Sequence, residues 1–268
     1  MSGGREAVAV TRAPYEAVRP SPWIRRFHVG VRPGKDVPVL VVLPHAGGNA
    51  SFYQRLSADL AGYCEVLVMQ YPGRQDRLAE PVPPTLNGML DGIEEALLPW
   101  RDRPSVLFGH SMGALLAFEL ARRWERADAG PRGLVLSGRN SPLSPEGPPP
   151  ALDDESLIAR MGALAGTEPE LLADATFREL ILPSMRGDYT ALSTHRYEPG
   201  PLLHAPVSVL CGDEDPRADE AESMRWRELT RAAFTFRAMP GGHFYLVEQH
   251  EAVARAVRED LAGFLARD

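Results

Sequence analysis

The residues Gly109-His110-Ser111-Met112-Gly113 form a G-x-S-x-G run. A serine hydroxyl is a weak nucleophile at neutral pH and attacks carbonyls only when a neighbouring base takes its proton. The context of this serine is specific. SVLF (residues 105–108) precedes it and reads as a strand, and ALLAFELARRW (residues 114–124) follows it and reads as a helix. On such a strand-to-helix turn the serine takes strained backbone angles that expose its hydroxyl. The residues flanking it must be small, because strand and helix pack against the turn. The helix N-terminus then directs free amides at a developing oxyanion. A chance match in a loop would carry neither flank. Ser111 is therefore the expected nucleophile, and acyl transfer through a covalent ester is the expected chemistry.

The base must come from the seven histidines. His243 has the best position. It follows the last strand through Pro240-Gly241-Gly242 and precedes the last helix, and the glycines permit a tight turn that carries the imidazole towards Ser111. His28 and His250 lie in outer elements. His195 and His204 belong to an insertion and its exit, where either would be able to touch substrate. His45 and His110 stand beside expected backbone donors and read as structural. No pair of these residues has metal-ligand spacing, so neither a metal nor any other cofactor is expected.

These side chains need a scaffold, and the chain supplies an alternating one. Short apolar runs at residues 37–43 (VPVLVVL), 65–70, 105–108, 134–137, 207–211 and 234–238 read as strands. Helical patterning occupies residues 51–60, 86–98, 113–124 and 252–265. Continuous apolar strands alternating with amphipathic helices predict a mostly parallel sheet covered on both faces. Together with the serine turn, this is an α/β fold of the α/β-hydrolase type. The alternation breaks once, at residues 141–201, which open on the proline-rich SPLSPEGPPP. Helical patterning at residues 155–164 and 169–182, with no strand, predicts a lid over the site. Residues 1–22 read as a flexible leader, and residues 23–268 as a single domain containing the lid.

In this fold the chain order is nucleophile, acid, histidine. Gly212-Asp213-Glu214-Asp215-Pro216 follows a strand and offers three carboxylates. Asp215 is preferred, since the chain has by then turned past the strand end. Asp213 is the alternative, with turn capping as its competing role. The oxyanion hole needs two amides. Met112, the residue after the nucleophile, supplies one. The second comes from Pro44-His45-Ala46-Gly47-Gly48, with Ala46 preferred and Gly47 the alternative. That turn lacks the lysine and spacing of a phosphate-binding loop.

Composition narrows the partners. The chain of 268 residues is 44% hydrophobic and 24% charged, with net charge −7 and two cysteines. No basic stripe suggests nucleic acid, no apolar run is long enough for a bilayer, and no signal-peptide core stands near the N-terminus. Cys64 and Cys211 read as reduced core thiols. The expectation is a soluble cytoplasmic enzyme.

Taken together, PHAGG (residues 44–48), YPGR (71–74), GHSMGA (109–114), SGR (137–139), GDEDP (212–216) and GGHF (241–244) resemble the type II thioesterases that accompany polyketide synthases and nonribosomal peptide synthetases. The motifs stand in that family's order and cover about residues 24–266. LPSMRGDYTALSTHRY (residues 182–197) resembles the family's lid segment, with Gly187 where alanine is expected and Met185 where leucine is usual. The resemblance implies Ser111, His243 and Asp215 as catalytic residues and Ala46 and Met112 as oxyanion donors. It also implies hydrolysis of acyl groups from the phosphopantetheine arm of an acyl or peptidyl carrier protein, which clears stalled chains. An arginine patch near the lid mouth, including Arg74 or Arg186, would suit such a partner. The preferred role for both arginines is nonetheless an ordinary surface or lid salt bridge. The alternatives are a medium-chain fatty acyl thioesterase, a small-ester esterase, or a non-catalytic carrier-binding subunit on the same scaffold.

Overall fold

The computed structural model describes residues 21–28, 37–144, 151–164 and 169–266. The expected leader lies almost wholly outside these, as do residues 145–150 of the proline-rich connector. The described residues build seven strands: β1 (Ile24–Arg25), β2 (Val39–Leu43), β3 (Glu65–Met69), β4 (Ser105–His110), β5 (Gly133–Ser137), β6 (Val207–Gly212) and β7 (Phe234–Met239). They form one sheet in the order β1-β3-β2-β4-β5-β6-β7. Only β1 runs antiparallel, against β3; the other pairs are parallel. A parallel sheet of this kind must be covered on both faces, and strands β2 to β6 are buried accordingly, while β7 at the edge is mostly half-buried to exposed. All five residues of β2 are buried.

Alternation sorts these side chains between two cores. Val39, Val41 and Leu43 of β2, with Leu107 of β4, face α2 (Leu86–Leu97) and α3 (Met112–Arg126). Leu40 and Val42, with Val106 and Phe108, face α1 (Gln54–Leu60) and α9 (His250–Leu265). Each large apolar side chain so buried contributes about 1.5–3 kcal/mol. In α2, Leu86, Met89, Leu90, Ile93 and Leu97 share the buried face, and Thr85 caps the helix by accepting from the Gly88 amide at 3.0 Å. Pro99 falls in a 3-10 turn directly after α2.

The insertion carries α4 (Asp154–Ala163), α5 (Pro169–Ala173) and α6 (Ala175–Ser193). The sequence predicts a single helix over residues 169–182, and the structure differs at both ends. Asp174 interrupts it, accepting from the Phe177 amide at 2.7 Å and starting a new helix. That helix then runs through Pro183 instead of stopping before it. Leu182, Met185 and Tyr189 pack on Leu157 and Ala46, and this tertiary contact outweighs the lost proline hydrogen bond. Strand β1 and two short helices, α7 (Glu220–Met224) and α8 (Tyr245–Glu248), were not expected. They are too short to show a periodicity. No helix among the described residues is long and apolar enough to cross a membrane.

Candidate active site

Strand β4 passes into α3 through one residue, Ser111, at φ 55° and ψ −112°. A non-glycine residue in such a region costs about 1–3 kcal/mol and persists only where its surroundings hold it. The Ser111 amide donates to the Ser137 carbonyl at 2.8 Å, and the Ala114 amide donates to the Ser111 carbonyl at 3.1 Å. The flanking glycines answer to space. A Cβ on Gly109 would lie 2.0 Å from the Gly113 carbonyl oxygen, and one on Gly113 would lie 1.9 Å from the Leu43 carbonyl oxygen. Ser111 remains half-buried, and Met112 opens α3. The Met112 amide is one of the helix-initial N–H groups that lack an intrahelical acceptor.

His243 lies on the turn between β7 and α8, where Gly241 takes φ 114°. Its Nδ1 is 2.8 Å from Oδ2 of Asp215, and both residues are buried. Asp213 instead accepts from the Gly241 amide at 2.8 Å, capping the turn that carries His243. Glu214 is exposed. Of the three carboxylates, it is Asp215 that meets the histidine. The His243 ring lies 4.9 Å, centroid to centroid, from that of His110, the residue before Ser111. The histidine turn and the serine turn thus meet at the C-terminal edge of the sheet.

The PHAGG turn completes the edge. The Gly48 amide donates to the His45 carbonyl at 2.9 Å, and Gly47 takes φ 74°. The Gly47 amide donates to Oδ2 of Asp188 on α6 at 2.7 Å, so it is occupied. The Ala46 amide makes no hydrogen bond among the described residues. Of the two amides that the sequence left open, that of Gly47 is engaged and that of Ala46 is not.

The other histidines are held elsewhere. Burial, reinforced by His243 and Arg74, pushes His45 down to about 3, and its Nδ1 lies 2.9 Å from the Tyr53 hydroxyl. Burial likewise holds His110 well below its usual range. Nδ1 of His110 lies 2.8 Å from the Ser137 hydroxyl, which lies 2.6 Å from the hydroxyl of Tyr245. Both imidazoles are therefore neutral near pH 7. His195 pairs with Glu119 and His204 with Glu125, which engages both outside the serine site. His28 meets Ser57, and His250 meets Asp59.

Neither arginine of the expected patch is a free surface charge. Arg74 is buried against Asp188, and Arg186 pairs with Asp154 within the insertion. Cys64 and Cys211 are buried free thiols, pushed by burial up to about 12 and about 11. Cys64 lies just before β3 and not within it. Asp188, Ser137 and Tyr245 escaped the sequence reading as site residues. Asp188 alone left a signal, as an acidic residue on the apolar stripe of Leu182, Met185, Tyr189 and Leu192.

Two outcomes follow. Gly113→Ala forces backbone apart at the elbow and should lower both thermal stability and turnover; a fully active, fully stable variant would contradict the packing account. For His45 the folded value of about 3 lies below the ordinary 6.5. The unfolded chain binds the extra proton between those values, so stability is full above 6.5 and falls as pH drops towards 3. His45→Gln keeps a polar partner for Tyr53 and should show a flatter melting temperature across that window, measured by calorimetry.

Comparison with known proteins gives the family. The thioesterase-domain family model matches residues 38–261. A probable cadicidin biosynthesis thioesterase of Streptomyces griseus is 43% identical over 253 residues, covering 94% of this chain and 68% of that protein. Thioesterase PikA5 of Streptomyces venezuelae is 42% identical, covering 89% of this chain and 85% of that protein. The structure of BorB, a type II thioesterase from the borrelidin biosynthetic cluster, superposes with a TM-score of 0.81 at 41% identity, covering 89% of this chain and 97% of that one. The chain belongs to the thioesterase family and is a type II editing thioesterase of polyketide and nonribosomal-peptide pathways, an α/β-hydrolase.

Proposed function

We propose that this enzyme hydrolyses acyl thioesters on the phosphopantetheine arm of an acyl or peptidyl carrier protein, using Ser111, His243 and Asp215. The observation that carries the reading is the buried 2.8 Å contact between His243 Nδ1 and Asp215 Oδ2 beside a serine held at φ 55°. With Nδ1 committed to the carboxylate, Nε2 is the nitrogen left to take a proton from Ser111. The hydroxyl oxygen attacks the thioester carbonyl. Asp215 fixes the imidazole's tautomer and stabilises its charged form without itself taking the proton. The amides of Ala46 and Met112 receive the oxyanion, each such donor being worth about 3–4 kcal/mol of barrier. The tetrahedral intermediate expels the pantetheine thiolate, which takes the proton from His243. Water, deprotonated by the same imidazole, then releases the acid from the acyl-enzyme.

The helices of the insertion act as a lid that sets acyl size and shields the carbonyl. Contact between Ala46 and the Leu157, Leu182, Met185 and Tyr189 cluster supports this, since it places insertion side chains beside an oxyanion donor. Substrates tethered to a biosynthetic carrier imply a cytoplasmic site of action.

Thiol release from acyl-loaded carrier protein should fall at least about 1,000-fold in Ser111→Ala. Unchanged release, or faster hydrolysis of simple oxyesters than of the loaded carrier at equal concentration, would remove the reading. Asp215→Asn should lower kcat about 10⁴-fold through the wrong tautomer. Asp213→Asn keeps an acceptor for Gly241 and should stay within about threefold, as for other surface changes of small energy. The reverse ranking would reassign the acid.

A further inference from the structure

Asp188 sits on α6, in the insertion, and reaches two parts of the core with one oxygen. Its Oδ2 accepts the Gly47 amide at 2.7 Å and also meets Nη2 of Arg74. Both side chains are buried, Asp188 at 0% exposure and Arg74 at 4%. The three residues come from separate places: the turn after β2, the turn after β3, and the lid. Val82 packs where these meet. A Cβ on Gly73 would lie 2.5 Å from its Cγ2, and a Cβ on Gly187 would lie 2.6 Å from its Cβ. Glycine on both sides lets α6 approach the YPGR turn closely enough for the pair to form. Gly187 therefore answers to this contact.

The chemistry of the turn decides what the bond does. His45, Ala46, Gly47 and Gly48 make a four-residue turn closed by the Gly48 amide on the His45 carbonyl at 2.9 Å. The His45 carbonyl belongs to the same rigid peptide unit as the Ala46 N–H, so this bond sets one side of Ala46. The Gly47 N–H belongs to the central peptide unit, which is the unit that reverses when a turn changes type. Gly47 at φ 74° fits the turn type that places glycine at the third position. Asp188 holds that central unit, and Met185, one helical turn earlier, covers the open side of Gly47. A buried pair is weak support for stability, because its desolvation cost offsets its attraction. Its directionality is the property that an apolar contact lacks.

We propose that Asp188 is a positioning residue that couples the seating of lid helix α6 to the alignment of the Ala46 amide. Lifting α6 breaks both contacts together and frees the central peptide of the turn. The turn that carries Ala46 is then held on both sides only with the lid seated. The inference rests on Ala46 being a donor in the proposed reaction.

The test uses the full-length enzyme, an alkyl trifluoromethyl ketone whose serine adduct carries an oxyanion, and a non-cleavable amide analogue of an acyl-pantetheine thioester. Asp188→Ala should weaken ketone inhibition and lower kcat by about 100-fold, the usual scale for loss of an oxyanion donor. Binding of the amide analogue should change less than about threefold, and Asp188→Asn, which keeps an acceptor for Gly47, should recover part of the loss. Equal weakening of ketone and amide analogue would indicate general lid damage and overturn the coupling. Should Asp188→Ala not fold, Asp188→Leu combined with Arg74→Met refills the space with apolar side chains. That protein should melt as the parent does yet keep the kinetic defect; wild-type kcat in it overturns the proposal. A parent enzyme that binds the ketone but leaves acyl-carrier thioesters uncleaved would refute the substrate reading and leave the coupling standing.

Discussion

Strand β4 enters α3 with only Ser111 between them, and neither Gly109 nor Gly113 has room for one more carbon. That close approach governs the rest of the arrangement. Gly113 abuts the end of β2, whose continuation is the turn bearing Ala46. The two amides proposed as oxyanion donors are thus brought to one edge because helix and strand touch backbone to backbone. On the other side, β5 ends at Ser137, whose carbonyl holds the Ser111 amide and whose hydroxyl meets His110. Strands β6 and β7 lie farther from β4, so their contributions reach back on loops. The capping of the histidine turn by Asp213 shows how one of those loops steadies the other.

The crowding of imidazoles at this edge raises an electrostatic question. His45 and His110 lie close to His243, and a positive charge on either would oppose the imidazolium that the proposed mechanism requires. Desolvation removes the problem by holding both well below their ordinary values. Of these three rings, only His243 has a carboxylate at its Nδ1. Two of the three imidazoles are thus held neutral by burial, and the third is the one that the proposed mechanism uses. The polar atoms of the two neutral rings are directed at Tyr53 and Ser137.

What the sequence made legible follows the range of the interactions concerned. Buried parallel strands are continuous apolar runs, and β2 to β6 were readable for that reason. The elbow was readable because its steric demand falls on residues within two positions of Ser111. Asp213 and Asp215 were not separable in the same way. Both follow one strand, and only the position of Gly241, far along the chain, assigns the first to a cap and the second to the histidine. Arg74 was readable as one half of a surface or lid salt bridge, but its partner, 114 residues away, was not identifiable. The continuation of α6 through Pro183 was hidden for a related reason. Local propensity opposes it, and packing against the cluster around Leu157 supplies what local sequence does not.

The contact of α6 with the turn after β2 shows why a buried charge suits this place better than another leucine. Leu182, Met185 and Tyr189 already provide apolar adhesion between α6 and the core. Such adhesion tolerates sliding and rotation, since it is non-directional. A peptide unit beside a proposed oxyanion donor needs orientation, and a carboxylate oxygen accepting its N–H supplies a direction as well as a distance. The arginine is then the condition for burying that carboxylate, because burial alone raises its pKa towards the neutral form and Arg74 opposes the shift. The pair fixes what the apolar cluster only holds near: the peptide of Gly47, in the turn after β2.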